Sequence, residues 1–307
     1  MTLYEGLDTL GYPGDTWFRN VWNNTNIWYV SYYLGGANVA RGYAAILGKR
    51  SFLANIAGAG QGFGFIPIYV GQQVDCSRFY CNLTASQGQA DGQDAARLMK
   101  QEGFPANSVV YFDLEDRTTT SALVTYINAW INTVNNNGYR AGVYCDVVNV
   151  ANSIGNYTGW DRFHLWGVPA GSDIYVKVTP TYSNGYYTYP EHDPTSYHPR
   201  AIGVQYAEAG WTKNSLDVSV QGYPCDINTF SVKDPSMPPG SSVTDVTNGG
   251  YPQKELAQVT QSGWSRNWTV CEQKWVHGAP NTTYKTDADG YLYLPTLTGK
   301  AEAPKSS

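Results

Sequence analysis

Short apolar runs that end in a polar residue recur from Tyr4 to Phe230, and this repetition constrains the fold more than any other feature. Most of the runs are almost continuously apolar, which is typical of strands buried on both faces of a parallel sheet. The predicted strands are Tyr4–Asp8, Trp28–Leu34, Gly64–Val70, Ser108–Leu114, Arg140–Cys145, Phe163–Val168, Ala201–Tyr206 and Pro224–Phe230.

Helical patterns separate the early strands. Gln89–Glu102 ends at Gly103, and Ser121–Asn137 carries apolar residues at helical spacing before Gly138. Alternating strands and helices predict right-handed crossovers and a parallel sheet, and eight strands predict a closed, TIM-like (β/α)8 barrel of the α/β class. The helical pattern fades in the Tyr-, Pro- and Asn-rich stretch Tyr175–Pro199. We therefore expect some outer helices to be missing.

Composition divides the chain into four parts. Residues 1–232 form the predicted barrel, and the Pro- and Ser-rich residues 233–242 form a predicted linker. Residues 243–300 contain three Trp and an alternating Tyr-Leu-Tyr stretch, which predict a small β-rich module. Its Trp rings form either a binding face or simply the core of the module. Residues 301–307 are predicted to be a disordered tail.

Low charge and many aromatic residues narrow the function classes. Only 15% of the residues are charged, while 25 Tyr and 10 Trp are present, a composition that suits neutral polyols. The net charge of −5 argues against nucleic-acid binding, and no apolar run approaches the roughly 18 residues of a membrane span. No secretory signal is recognisable at the start. If the protein acts outside the cell or on its wall, it would then be phage-derived, exported by another route, or a chain from which the signal peptide has been removed.

Cysteine spacing predicts one small disulfide and no metal site. Cys76 and Cys81 lie close together in a predicted loop and either form a bridge or remain two free thiols. The five cysteines show no paired C-x-x-C spacing with histidines, and only four His are present. No metal or other cofactor is expected.

Acidic residues fall at the ends of predicted strands, where a parallel barrel collects its catalytic groups. Asp8 ends the first strand, Asp113 and Glu115 end the fourth, and Asp226 lies in the last. Residues two apart on a strand point the same way, so Asp113 and Glu115 can both face the barrel mouth. Paired carboxyl groups are typical of glycoside cleavage, in which one protonates the leaving oxygen. Crowding and burial should raise the pKa of the most buried acid.

Taken together, several motifs make the chain resemble the family 25 glycoside hydrolases, which are lysozyme-type muramidases. The resemblance is closer still to a neighbouring group of bacterial and phage domains described as glycoside-hydrolase-like. The matching pieces are Asp8 after Gly6, Phe65–Gly71, Asp91–Ala96, Tyr111–Glu115, Gly142–Tyr144, Gly203–Tyr206, and Asp226–Asn228 with Phe230. The resemblance covers roughly residues 3–231. It implies an eight-stranded barrel with fewer helices, Glu115 as the general acid, and Asp113, Asp8 and Asp226 shaping an acidic cleft.

Further residues at or near strand ends are candidates for substrate binding. Aromatic rings can stack on sugars, and carboxamides can bind hydroxyl or acetamido groups. The candidates are the aromatic residues Tyr69, Tyr111, Tyr144, Trp166 and Tyr206, and the amides Gln72, Gln73 and Gln205. Packing within the barrel is the alternative role for each of them.

Three functions remain open at this stage. The first is an enzyme that cleaves a β-linked amino-sugar polymer such as peptidoglycan. The second is a catalytically inactive barrel that binds glycans or cell walls in a surface or phage structural protein. The third is an adhesion protein whose C-terminal module carries the function, for example by docking to a cell wall or virion.

The predicted module can be tested by deleting residues 243–307. If it serves in targeting, the truncated barrel should stay soluble and keep its activity on small soluble glycans, but lose attachment to intact cell walls in a pull-down assay. A truncated barrel that unfolds or aggregates would show instead that the tail is a structural cover.

Overall fold

Eight strands close into a barrel in the computed structural model of the chain, which describes residues 2–9, 11–39, 46–58, 61–168, 180–207 and 219–237. In chain order the strands are β1 (Tyr4–Asp8), β2 (Ile27–Gly35), β3 (Gly64–Tyr69), β4 (Val109–Asp113), β5 (Arg140–Asp146), β6 (Phe163–Val168), β7 (Thr181–Ser183), β8 (Tyr186–Thr188), β9 (Ala201–Ala207), β10 (Ser219–Val220), β11 (Tyr223–Pro224) and β12 (Asp226–Phe230). The order around the barrel is β1-β12-β9-β6-β5-β4-β3-β2, while β7 pairs with β8 and β10 with β11. The predicted fold class is confirmed, and each predicted strand is found within two residues of its predicted bounds.

The α-helices of the described residues accompany mainly the first half of the barrel. They are α1 (Asp15–Asn24), α2 (Arg50–Ala54), α3 (Ala85–Gln101), α4 (Ser121–Asn136) and α5 (Ala151–Thr158). Between β6 and β9 the described residues form the β7–β8 hairpin and one 3-10 turn instead of an α-helix. The expectation of missing outer helices is thus met in residues 180–199, the described part of the predicted loop.

Side-chain caps set where the two long helices begin. The hydroxyl of Thr84 accepts a hydrogen bond from the Gln87 amide (3.2 Å), and Thr120 caps α4 in the same way. Helix α3 therefore starts four residues before the predicted Gln89. The two helices pack closely, because a Cβ on Gly88 would lie 2.3 Å from the Tyr126 carbonyl.

The closing strand β12 corrects the expectation of an all-parallel barrel. The other seven strands run parallel, but β12 is antiparallel to both β1 and β9. Tyr4 pairs with Phe230 and Asp8 with Asp226, so the chain enters β12 at the barrel mouth. The described part of this connection is the β10–β11 hairpin, and no described helix carries the chain to the barrel floor before β12 begins.

Aromatic rings packed against glycines fill the barrel interior. A Cβ on Gly6 would lie 1.8 Å from the Tyr29 ring, and one on Gly142 would lie 2.3 Å from the Tyr111 ring. Trp166 lies among these rings, and its indole N–H donates to the Asn228 carboxamide oxygen (3.0 Å). The interior is therefore a dry aromatic core below the mouth.

Residues just after β12 close the floor of the barrel. The Tyr111 hydroxyl donates to the Pro235 carbonyl (2.9 Å), and the half-buried Asp234 carboxylate accepts from the amides of Phe65 and Ser236 (both 3.0 Å). The predicted linker began at residue 233. Its first residues instead belong to the barrel, because buried polar groups of the barrel depend on them.

The chain divides into two compact units, and the barrel belongs to the unit made of residues 1–53 and 64–239. The second unit contains residues 54–63 and 240–307; in its described part the Gly58 amide donates to the Asn55 carbonyl (2.8 Å). The predicted module at 243–300 and the predicted tail at 301–307 lie outside the described residues. Among the described helices, none combines the length and apolar character needed to cross a membrane.

The ring–glycine packing predicts that Gly142→Ala destabilises the barrel by about 1–3 kcal/mol, because the added methyl overlaps the Tyr111 ring in a close-packed core. Urea unfolding measures the change. In a double-mutant cycle, the same substitution should cost less in a Tyr111→Leu background. Equal costs in both backgrounds would show that the ring is not the cause.

Candidate active site

Four carboxyl groups meet at the mouth of the barrel. Asp8 ends β1 and pairs directly with Asp226, which begins the antiparallel strand β12. Asp113 ends β4, and Glu115 follows two residues later. The charges of Glu115, Asp8 and Asp226 all act on Asp113, which places the four groups in one cluster. The structure thus brings together the acidic set expected from the sequence.

Asp8 is a buried acid bonded to a hydroxyl group of β2. One carboxylate oxygen accepts from Tyr33 (3.0 Å), and the Ser31 hydroxyl, which accepts from the Thr9 amide (3.1 Å), also favours the ionised form. Burial raises the pKa of Asp8 to about 6, and the charge of Glu115 adds to the increase, although the Ser31 and Tyr33 hydroxyl groups oppose it. The sequence analysis did not select Tyr33 and Ser31. Alternation along β2, which turns every second side chain inward, was the signal that could have found them.

Asp113 is the most strongly perturbed acid of the cluster. Its side chain is 3% exposed, and burial raises its pKa well above the ordinary value, with further increases from the charges of Glu115 and Asp8. A hydrogen bond to Glu115 also favours the protonated form. Asp113 therefore stays protonated to a higher pH than an exposed aspartate does, and its carboxyl group lies beside that of Glu115.

Glu115 is the exposed member of the pair. Its side chain reaches solvent, while its backbone amide donates to the carboxamide oxygen of Gln73 (3.0 Å). One carboxylate oxygen each of Asp8 and Asp113 is buried without a hydrogen-bond partner among the described residues. The buried acids Asp8 and Asp113 thus lie beside one accessible carboxyl group, that of Glu115. Such an arrangement can store a proton and transfer it to a bound molecule.

Some of the candidate binding residues border this cluster. The Gln205 amide donates to Asp226 (3.2 Å), and Tyr144 pairs with Asp113 in the β4–β5 register. Trp166 lies below them, with its ring 4.4 Å from that of Tyr144. Tyr111 also faces inward, but its hydroxyl points to the floor.

Other candidates lie away from the cluster. Tyr69 and Tyr206 point out of the barrel: the Tyr69 ring packs on Trp130, and the Tyr206 hydroxyl donates to Glu5 (2.7 Å). Alternation along a strand explains this, because these residues differ in parity from the inward positions of β3 and β9. We therefore assign both to packing outside the cleft.

The two glutamines after β3 are committed to backbone contacts. The carboxamide oxygen of Gln72 accepts from the Asn82 amide (2.9 Å), and Gln73 bonds to backbone atoms near the acids. We therefore assign them to loop structure rather than to sugar contacts.

The predicted disulfide is confirmed. Cys76 and Cys81 are bonded with their Cα atoms 5.3 Å apart, and within the described part Cys145 and Cys225 are buried free thiols. In the ranges that the structure describes, no three His, Cys, Asp or Glu residues are arranged to hold a metal ion.

Comparison with known proteins identifies the domain. The model of a family described as "Rv2525c-like, glycoside hydrolase-like domain" matches residues 20–220. An uncharacterized B. stearothermophilus protein of known structure is 18% identical with a TM-score of 0.51, and the alignment covers 73% of this chain and 94% of that one. The Tat-secreted Mycobacterium tuberculosis protein Rv2525c, in complex with L-tartrate, is 19% identical with a TM-score of 0.48, covering 75% and 96%.

A weaker likeness is to the spore cortex lytic enzyme SleM of Clostridium perfringens, at 13% identity and a TM-score of 0.46, covering 74% of this chain and 67% of that one. The comparison with curated proteins gave no significant match.

The raised pKa of Asp8 predicts how stability depends on pH. Between its ordinary value of 3.8 and about 6, the folded protein binds more protons than the unfolded chain, so the free energy of unfolding falls as the pH rises through this window. Asp8→Asn should remove up to about 3 kcal/mol of that fall, at about 1.4 kcal/mol per pKa unit.

Urea unfolding at several pH values between 4 and 7 measures the effect. Asp161→Asn, at an exposed position before β6, is the matched control and should keep the wild-type dependence. If Asp8→Asn also keeps the wild-type dependence, the assigned titration is wrong.

Proposed function

This chain belongs to the Rv2525c-like family of glycoside hydrolase-like domains, and on that premise we propose that it hydrolyses a glycan in the acidic mouth of its barrel. The observation that carries the proposal is the Asp113–Glu115 pair, in which a buried acid with a raised pKa bonds to an accessible one. Glycoside cleavage requires a proton at the leaving oxygen and negative charge near the developing oxocarbenium ion. The cluster contains groups suited to both tasks.

Glu115 acts as the general acid because it is the member of the pair that a substrate can reach. Asp113 is too buried to meet the glycosidic oxygen. Its raised pKa keeps a proton in the pair above the pH at which an exposed aspartate ionises, and Glu115 delivers that proton to the glycosidic oxygen. Asp8 and Asp226 supply negative charge beneath the sugar, and Gln205, which bonds to Asp226, offers a carboxamide at the same edge.

An amino-sugar polymer is the proposed substrate, with peptidoglycan as the first to test. The resemblance to the muramidases supports this choice. The inward aromatic residues Tyr144 and Trp166 provide a low-charge wall below the acids. An assisting N-acetyl group of the substrate would remove the need for a protein nucleophile. The Cys76–Cys81 disulfide fits a protein that works outside a reducing compartment, at a cell wall or in an extracellular space.

A glycan-binding barrel without catalysis is the second candidate. The observation that favours it is the burial of Asp8 and Asp113, whose carboxyl groups are too enclosed to touch a glycosidic bond directly. Cleavage by a pair of carboxyl groups that both contact the substrate is therefore not open to them. Binding to purified cell walls without release of reducing ends would support this candidate.

We expect Glu115→Gln to lower the release of reducing sugar from purified cell walls by about 10²–10⁴-fold while the fold stays intact, because an amide cannot donate the required proton. Glu191→Gln, which removes an exposed carboxylate elsewhere, is the control and should behave as wild type. Asp113→Asn should lower kcat more than it raises KM, since Asp113 supports proton transfer by Glu115 and does not contact the substrate itself.

Unchanged hydrolysis in Glu115→Gln would overturn the assignment of the general acid. A wild-type protein that binds cell walls and releases no sugar would overturn the proposed hydrolysis itself.

A further inference from the structure

The acid segment, Asp113–Glu115, extends past the end of the pairing between β3 and β4. On that side its backbone groups lie beyond the paired residues of β3. The last residues of β3 that pair with β4 are Ile68 and Tyr69, opposite Tyr111 and Phe112. On the β5 side the ladder continues, and the Leu114 amide donates to the Tyr144 carbonyl (3.0 Å). On the β3 side, the carbonyl of Asp113 and the amide of Glu115 lie beyond the paired strand.

The side chain of Gln73 supplies the missing contacts. Its carboxamide N–H donates to the Asp113 carbonyl (2.8 Å), and its carboxamide oxygen accepts from the Glu115 amide (3.0 Å). A residue in a parallel strand bonds in the same way to the carbonyl of one residue and to the amide two residues later. One side-chain amide therefore extends the β3 edge past its end and fixes the backbone on both sides of Leu114.

Gln73 is itself held rigidly. Its side chain is fully buried, and its backbone amide donates to the Tyr80 carbonyl (3.0 Å). The buried Asn38 carboxamide also binds this loop, donating to Gly71 (2.6 Å) and accepting from the Tyr80 amide (2.7 Å).

Two further connections stabilise the loop. One joins it to the residue after the acid pair, and the other links two cysteines within it. The Asp116 carboxylate accepts from the backbone amides of Val74 and Asp75, and the Cys76–Cys81 bridge closes the loop. These contacts hold the loop in one position, from which the Gln73 side chain reaches the backbone of the acid pair.

We propose that Gln73 is a positioning residue that sets the Glu115 carboxyl group against Asp113. This inference rests on the proposed function, in which that pair carries the proton. Gln73 has no free polar atom for a substrate, because both atoms of its carboxamide bind the chain. Its effect acts through the backbone of the acid segment. A displacement of about 1 Å in a reacting group can cost about 10²-fold in rate.

Gln73→Met tests the inference, because methionine fills a similar volume and makes neither hydrogen bond. Asn135→Leu is the matched control: Asn135 also bridges two backbone groups, the Ala141 amide (2.9 Å) and the Arg162 carbonyl (2.9 Å), but at the barrel floor. Gln73→Met should lower kcat by about 10–10²-fold with little change in KM, and Asn135→Leu should not.

A second readout does not depend on catalysis. In a carbon-13 NMR titration of the carboxyl groups, Gln73→Met should lower the apparent pKa of Asp113 and weaken its coupling to Glu115, because the Glu115 contact is one cause of the raised value. Asn135→Leu should leave the titration unchanged. If the wild type cleaves no glycan but this difference appears, the proposed function fails and the positioning role stands. If Gln73→Met folds, titrates and cleaves as wild type does, the positioning role is wrong.

Gln73→Glu covers the case in which Gln73→Met does not fold. A protonated glutamic acid can donate to the Asp113 carbonyl and accept from the Glu115 amide, whereas the ionised form cannot donate. The activity of this variant relative to wild type should therefore be restored at low pH and lost as the introduced acid ionises. A constant ratio across pH would contradict the inference.

Discussion

The antiparallel strand β12 is the element on which the rest of the site depends. It pairs with β1 and β9 and so closes the barrel, which gives every barrel strand two neighbours. Because it runs opposite to the others, its first residue lies at the mouth, where Asp226 meets Asp8. A parallel strand would have carried Asp226 to the floor. One reversal of direction thus both completes the hydrogen-bonded wall and adds a fourth acid to the cluster.

Burial, rather than charge repulsion alone, gives the cluster its chemistry. Rings packed against glycines fill the barrel directly below the mouth, and little water can reach the buried carboxyl groups of Asp8 and Asp113. Desolvation is the largest cause of the raised pKa of both Asp8 and Asp113, and neighbouring charges add to it. The aromatic core therefore has two effects: it stabilises the barrel, and it raises the pKa of the two buried acids next to the exposed Glu115.

The acids are held by contacts that come from outside their own strands. The Tyr33 hydroxyl of β2 bonds to Asp8, and a disulfide-closed loop after β3 holds the backbone between Asp113 and Glu115. The floor is closed in a comparable way, since Asp234 and Pro235 satisfy polar groups of β3 and β4. At both ends of the barrel, where the strands stop pairing, polar side chains thus form hydrogen bonds with backbone groups that no neighbouring strand reaches.

The strands, the two long helices and the acids at the strand ends follow from the sequence, because each depends on local periodicity or short spacing. The spacing of Cys76 and Cys81 allowed a bridge but left two free thiols open. Folding settles that choice, together with the direction of β12, the outward orientation of Tyr69 and Tyr206, the hydroxyl partner of Asp8 and the backbone contacts of Gln73. These features depend on pairing between segments far apart in the chain. An apolar run has the same composition whichever way its strand runs, and a buried amide has the same sequence signal whether it binds a sugar or the backbone. Strand register and burial, which exist only after the barrel closes, separate those alternatives.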